Sequence, residues 1–146
     1  MAQAGAPKPI PQPIPFSHKQ HASVAACELC HTTAATAERA GLPVASQCML
    51  CHEGVKKEIP SIRRLAEYAK QQRPIPWVRV YRVPDFIFFS HAKHVAVKIE
   101  CGACHGPVQQ RDVLAQEIPT NMKACMDCHR ARGASNACSL CHELGQ

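Results

Sequence analysis

The sequence predicts a chain that is mainly coil, with a few short α-helices and little or no β-structure. Three observations lead to this fold class. Ten cysteines and nine histidines occur among 146 residues, twelve prolines interrupt regular structure, and only 5% of residues are aromatic. Because an ordinary hydrophobic core is hard to build from this composition, we expect bound groups to supply the core, as in other small chains that need metals, cofactors or disulfides to fold.

The chain divides into four segments by composition. The first contains five prolines at alternate positions and is expected to be an extended, polyproline-like arm. Two cysteine-rich modules follow, separated by a linker that contains no cysteine. The segments are the arm at 1–15, the first module at 16–54, the linker at 55–84 and the second module at 85–146.

In the first module, Ser17 is the expected N-cap of a short helix that runs to Val24. The small residues between the first cysteine motif and Ala40 are expected to be helical, and Gly41 and Pro43 end that helix. These two short helices would be the regular structure of the module.

The linker is expected to contain one amphipathic helix and one extended strap. Ile62, Leu65, Ala66 and Ala69 recur at helical spacing, with Ser61 as a possible cap. Prolines bracket the strap at 74–84. Residues 55–83 carry eight basic and two acidic groups, which accounts for the whole net charge of +6. The basic helix face is either an ordinary solvated face or a docking surface.

Every cysteine belongs to a Cys-x-x-Cys-His motif, and there are five such motifs. Zinc ribbons and disulfide scaffolds also use paired cysteines, but neither explains a histidine directly after each second cysteine. The motif is the attachment sequence of c-type haem, in which both thiols form thioethers and the histidine ligates iron. The sequence therefore predicts five covalently attached haem c groups. The cysteines are Cys27, Cys30, Cys48, Cys51, Cys101, Cys104, Cys125, Cys128, Cys138 and Cys141, and the histidines are His31, His52, His105, His129 and His142.

Haem attachment changes the charge of the chain. Five haems would bring about ten propionate charges, offset by about one positive charge per ferric iron. The loaded protein would be near neutral when oxidised, so nucleic acid is not an expected partner.

The other four histidines lie in two copies of Phe-Ser-His-x-x-His, at 16–21 and 89–94. Two histidines three residues apart share one side of a helix. They could ligate one zinc together, or each could be the sixth ligand of a different haem. The second interpretation is favoured, because it uses every histidine. The residues are His18, His21, His91 and His94.

The second module has three motifs but only two additional histidines, so one iron lacks a histidine partner. Met122 lies three residues before Cys125, in a spacer with no other soft ligand, and is the expected sixth ligand. An open iron position and ligation by a lysine such as Lys123 are the alternatives.

The order Phe-x-His-x-x-His, Cys-x-x-Cys-His and two closely spaced further motifs resembles the class III multihaem cytochromes c. The resemblance covers residues 85–142 well, and residues 16–52 as a shortened copy. It implies ligand pairs in which each additional histidine serves one motif histidine. These pairs are His18 with His31, His21 with His52, His91 with His105, and His94 with His129. Where the family has a histidine for its last haem, this chain has Met122, which is therefore assigned to the haem of His142.

The total of five motifs, their arrangement of two plus three, and the segment from Arg82 to His91 resemble the pentahaem subunit of alternative complex III. That resemblance implies an electron-transfer wire that takes electrons from quinol-side centres to a monohaem cytochrome or an oxidase. It also implies association with a membrane complex.

Two other functions compete with electron transfer. A small multihaem reductase would need an open iron with acid–base groups beside it, and no histidine is left for that role. A subunit of an extracellular cytochrome filament would receive its missing ligand from a neighbouring chain. We therefore expect an electron carrier that is not an enzyme.

Haem c is attached outside the cytoplasm, so a periplasmic location, or one on the outer face of a membrane, is expected. Residues 1–15 lack the apolar segment of a signal peptide, and no apolar run approaches the roughly 18 residues of a membrane span.

Overall fold

The computed structural model describes residues 6–143. The first five residues of the arm and the last three of the second module lie outside the described residues. Residues 6–143 form seven α-helices, two 3₁₀ turns and no β-strand, which confirms the predicted fold class. The helices are α1 His18–His21, α2 Cys27–Cys30, α3 Ala45–His52, α4 Pro60–Lys70, α5 His91–Ala96, α6 Gly102–His105 and α7 Met122–Ala131. The 3₁₀ turns are Val108–Gln110 and Cys138–Leu140.

Side-chain caps determine where three helices begin. Each cap oxygen accepts a hydrogen bond from an N–H group three residues later, which satisfies a donor that the helix leaves open. The bonds are Ser17 with Gln20 at 3.1 Å, Ser90 with Lys93 at 3.4 Å, and Asn121 with Ala124 at 3.0 Å. The cap expected at Ser17 is therefore present.

Two helices expected in the first module differ from the structure, since one is shorter and the other is absent. Helix α1 ends at His21 rather than Val24, because the His21 carbonyl accepts from both Val24 and Ala25 and the chain turns there. The stretch up to Ala40 consists of turns rather than a helix. Thr33 closes this loop, since its hydroxyl donates to the Arg39 carbonyl at 2.7 Å, and a side-chain bond of this kind competes with helix formation.

Helix α4 packs against α3 with the face that the sequence predicts. Leu65 is 4% exposed on this face, and Ile62 and Ala69 pack beside it. The helix begins at Pro60, with Ile59 as the N-cap instead of Ser61. A proline at the first helical position loses no hydrogen bond, because that N–H has no partner within the helix.

The arm and the strap complete this packing. Ile14 from the arm and Ile75 from the strap join Ala45 and Leu65 in one buried cluster, which we call the apolar quartet. The Gln12 amide group exchanges two hydrogen bonds of 2.9 Å with the backbone of Val78, which fastens the arm to the strap. Residues 6–15 of the arm contain no helix or strand, and Ile14 is part of the core.

The polypeptide alone buries very little. Besides the apolar quartet, Ala115 is the one other buried apolar residue of the described chain, and no polar residue is buried there. Val24 and Leu50 are each 79% exposed, beside or within cysteine motifs. Because exposed apolar side chains cluster around the motifs, bound groups are needed to cover them.

The two modules exchange equivalent contacts. Lys19 donates from its N–H to the Arg111 carbonyl at 3.0 Å, and Ala92 donates to the Ala37 carbonyl at the same distance. Each donor lies two residues after its capping serine, and each acceptor lies six residues after the first motif histidine of the other module. The helix of the Phe-Ser-His-x-x-His unit in each module, α1 or α5, therefore contacts the other module at an equivalent position.

Candidate haem-binding centres

The five motifs form sites that we number in chain order. Their Cys-x-x-Cys loops coincide with α2, α3, α6, α7 and the second 3₁₀ turn. Residues three apart lie on the same side of a helical turn, so each loop presents both thiols in one direction. All ten thiols are free. The sites are site 1 at 27–31, site 2 at 48–52, site 3 at 101–105, site 4 at 125–129 and site 5 at 138–142.

Four of the five motif histidines are oriented by the backbone. Each donates its Nδ1–H to a carbonyl oxygen, which leaves Nε2 as the free nitrogen for a metal. The bonds are His31 to Gly41 at 2.8 Å, His52 to Val55 at 3.0 Å, His129 to Ser135 at 2.8 Å and His142 to Glu143 at 2.9 Å.

Three of the four histidines in the Phe-Ser-His-x-x-His units are oriented in the same way. His21 and His94 donate to the carbonyl oxygens of their own capping serines, Ser17 and Ser90, each at 2.8 Å. His91 donates at 2.8 Å to the Glu38 carbonyl of the other module. The capping serine thus begins the helix with its side chain and orients a ring with its backbone.

The phenylalanine of each Phe-Ser-His-x-x-His unit orients both of its histidine rings. Phe16 stacks on His21 with ring centres 4.3 Å apart and meets His18 edge-on at 4.9 Å. In the second module, Phe89 stacks on His94 and meets His91 edge-on, both at 4.8 Å. Sequence reasoning assigned no role to these rings. The signal was present, because phenylalanine occupies the same position in both units.

Three pairs of histidine rings have their centres at nearly the same separation. An imidazole nitrogen binds a first-row metal at about 2 Å, so rings on opposite sides of one metal have centres about 6 Å apart. The ring-centre distances are 6.1 Å for His21 and His52, 6.3 Å for His91 and His105, and 6.2 Å for His94 and His129. The two rings of each pair are thus spaced so that they would be able to hold one iron between them.

His18 lies close to His31 without forming such a ring pair. The pKa of His18 is lowered to about 4 by burial first, and then by the charges of His31, His21 and His105. Burial also lowers the pKa of His105, with further contributions from His91 and His31. Sites 1 and 3 are therefore neighbours at the contact between the modules.

Hydrogen bonds and closely spaced thiols show which of the five sites are neighbours in space. The Gln47 side chain donates to the Leu29 carbonyl between sites 2 and 1, and Asn136 donates to the Met126 carbonyl at 3.1 Å between sites 4 and 5. Burial raises the pKa of several thiols, and the thiol of an adjacent site raises it further. These pairs are Cys48 with Cys30, Cys101 with Cys27, Cys104 with Cys128, and Cys125 with Cys104 and Cys141. The spatial order is 2, 1, 3, 4, 5.

This donor set fits haem c better than zinc. Residues 6–143 contain no group of three His, Cys, Asp or Glu side chains arranged to hold a metal ion, whereas a structural zinc needs four ligands. Two thiols directed outward and two rings across a metal-sized gap are what a covalently attached porphyrin uses.

Comparisons with known proteins agree with this geometry. Residues 2–75 match the class III cytochrome C family, and residues 87–143 match the family of cytochrome c7 and related cytochrome c. The chain is also 32% identical to a menaquinone reductase, multiheme cytochrome c subunit, from Nitratidesulfovibrio vulgaris, over 90% of this chain and 77% of that protein. This chain is a class III multihaem cytochrome c. Such cytochromes are electron carriers.

Met122 begins α7 and is 68% exposed. Site 5 is contacted instead by the Phe88 N–H, which donates to the Cys141 carbonyl at 2.6 Å. The alternative ligand, Lys123, forms an ion pair with Asp127 at 2.5 Å. Ligation of site 5 by Met122 stays a prediction.

Tyr81, in the strap, contacts site 3 of the cytochrome. Its ring meets the His105 ring edge-on with centres 4.6 Å apart, and its hydroxyl donates to the His105 carbonyl at 3.1 Å. The same hydroxyl accepts from the Glu117 N–H at 3.0 Å. Sequence reasoning missed this residue, because no local pattern connects the strap to a motif 24 residues later.

Within the described residues, no helix is both long enough and apolar enough to cross a bilayer.

Proposed function

We propose that this cytochrome carries five haem c groups and conducts electrons along them, in the order 2, 1, 3, 4, 5, between redox partners outside the cytoplasm. The observation that carries the proposal is the set of three histidine ring gaps of 6.1–6.3 Å. When bound, haem c supplies one-electron chemistry at iron. The ten motif thiols would form the thioethers, and the five motif histidines would be the proximal ligands.

The distal ligands follow from the geometry and the family resemblance together. His21, His91 and His94 would complete the sites of the rings that they face, namely His52, His105 and His129. His18 would complete site 1, because the family resemblance pairs it with His31. Met122 would complete site 5. Irons with two protein ligands have no position for a substrate, so the proposed role is electron transfer without catalysis.

A quinone-reacting partner is proposed at one end of the wire. The relative from Nitratidesulfovibrio vulgaris is by name a subunit of a menaquinone reductase, and the resemblance to the alternative complex III subunit also indicates quinol chemistry. The proposed partners are a quinol-side complex and either a monohaem cytochrome or an oxidase. A location in the periplasm or on the outer membrane face follows from haem c attachment, and class III cytochromes are typically periplasmic.

The end of the wire at site 2 has a basic surface. The Lys56 side chain donates to Gln20, next to His21, at 3.2 Å, and Arg63, Arg64 and Lys70 are exposed on α4, which packs on the site 2 helix. Complementary charge steers redox partners to one another. We propose that an acidic partner docks here.

Haem counting by mass spectrometry tests the proposal. The holoprotein should exceed the polypeptide mass by five haems, and a Cys138→Ser, Cys141→Ser variant by four. A wild-type mass corresponding to four haems or fewer would contradict the proposal. So would a cysteine variant that keeps all five.

A reductase is the second candidate, because no histidine ring of the described residues is paired with His142. An open iron at site 5 would give a high-spin ferric signal that changes when small anions such as nitrite or sulfite are added. A low-spin site with nitrogen ligands only would instead indicate a ligand from another chain, as in a filament.

A further inference from the structure

Sites 1 and 3, which meet at the contact between the modules and which we call the central sites, differ from their neighbours in one feature. Seven of the nine histidines donate Nδ1–H to a backbone carbonyl. Within residues 6–143, the structure gives no such bond to His18 or His105. If the ligand pairs are as proposed above, sites 2 and 4 each have two hydrogen-bonded rings, whereas sites 1 and 3 each have only one.

This hydrogen bond affects the iron through the ring. A carbonyl that accepts from Nδ1–H makes the imidazole a stronger electron donor. A stronger donor stabilises ferric iron and lowers the reduction potential, so a ring without the bond leaves the potential higher. Burial acts in the same direction, because a low-dielectric surrounding disfavours the ferric charge.

Tyr81 is in contact with both the ring and the backbone of His105. Its ring meets the His105 ring edge-on at 4.6 Å, and its hydroxyl is used elsewhere, between the His105 carbonyl and the N–H groups of Glu117 and Ile118. The Tyr81 ring is half-buried and packs against the imidazole of His105. Tyr81 therefore holds the backbone of His105 through its hydroxyl and places an apolar ring beside the imidazole.

We propose that Tyr81 is a positioning residue that keeps the potential of site 3 high, so that the central sites 1 and 3 retain an electron more strongly than sites 2 and 4. The proposal rests on the wire described above. As a consequence, an electron would reside mainly on sites 1 and 3, at the contact between the two modules, with the lower-potential sites 2 and 4 on either side. Electrons that enter at site 2 would then pass to the centre downhill.

Redox titration of the oxidised holoprotein, followed by proton NMR or low-temperature EPR, tests this proposal. In the wild type, two of the four bis-histidine components should titrate at higher potential than the other two. Four coincident components would overturn the proposal, and this test needs no variant.

Two substitutions separate the ring of Tyr81 from its hydroxyl. Tyr81→Leu should admit water to the His105 ring, so the potential of one component should fall by about 59 mV, which is roughly a tenfold rise in its oxidised-to-reduced ratio at fixed solution potential for one electron. Tyr81→Phe keeps the apolar edge and should leave that component in place. Tyr68→Leu, which changes the only other tyrosine, is the matched control and should not shift it.

The possible outcomes distinguish the role of Tyr81 from the proposed function of the whole chain. Unshifted components in a Tyr81→Leu protein that binds five haems would overturn the role of Tyr81 and leave the wire intact. A wild type that lacks five haems or the bis-histidine signals would overturn the proposed function itself.

Discussion

The two modules of this cytochrome begin with the same unit but are stabilised in different ways. The first module is covered by its neighbours in the chain, since α4 of the linker packs on the site 2 helix and the arm and strap add Ile14 and Ile75 to the apolar quartet. In the second module, a third haem motif follows instead, and Ala115 is the one buried apolar residue described there. If the third motif holds a haem as proposed, a polypeptide core and an additional cofactor are alternative solutions to the same packing problem. The second module should therefore depend more on its haems.

The largest expected effect comes from removing attachment sites. Cys125→Ser with Cys128→Ser removes site 4 from the middle of the second module, and residues 85–143 should lose their protection against hydrogen exchange. Cys48→Ser with Cys51→Ser removes site 2, but the apolar quartet still holds α4, so protection of 60–70 should persist. Hydrogen exchange measured by mass spectrometry on both holoproteins compares the two. Equal loss in both modules would refute the difference between them.

The next effect tests the polypeptide core directly. Leu65→Ala should lower the free energy of unfolding by about 2–5 kcal/mol, because it leaves a cavity in the apolar quartet. Leu42→Ala is the matched control, since Leu42 is 45% exposed, and its effect should be within about 0.5 kcal/mol. Denaturant titration followed by far-ultraviolet circular dichroism gives both values. A similar loss in the two variants would argue against a core at α3 and α4.

The capping serines allow a smaller and more direct comparison. Ser90→Ala should lower the free energy of unfolding by about 1 kcal/mol through loss of the cap. Ser17→Ala should lower it further, because Ser17 also donates to Asp112 of the other module at 2.6 Å.

Asp112→Ala isolates that second bond. In a double-mutant cycle, Ser17 and Asp112 should show coupling, whereas Ser90 and Asp112 should not. Absence of coupling between Ser17 and Asp112 would mean that this contact contributes nothing to the joining of the modules.

The smallest effect concerns rate rather than stability. Arg64→Glu should slow reduction of the cytochrome by reduced flavodoxin, an acidic redox protein, several-fold at low ionic strength, with the difference vanishing at high salt. Arg132→Glu makes the same charge change in the second module and should have little effect. Stopped-flow absorbance gives the rates. Equal slowing by the two variants would exclude docking at the basic surface beside site 2.

Local patterns in the sequence predicted the motifs, the paired histidines and the buried face of α4, because each depends on spacing along a few turns. They did not predict contacts between distant segments. The Thr33 bond to Arg39 replaced an expected helix, Ile14 of the arm entered the core, and Tyr81 reached site 3. The hydrogen bonds of Lys19 and Ala92 to the other module could not be predicted either, because the donor and the acceptor of each bond lie far apart in sequence.

The near-infrared absorption spectrum of the ferric holoprotein tests the central claim, a wire of five coordinatively saturated haems, most directly. The account predicts a weak sulfur-to-iron charge-transfer band in the wild type, its loss in Met122→Ala, and no high-spin signal in the wild type. A wild-type spectrum without that band, or with a high-spin component that responds to added nitrite, would contradict the account.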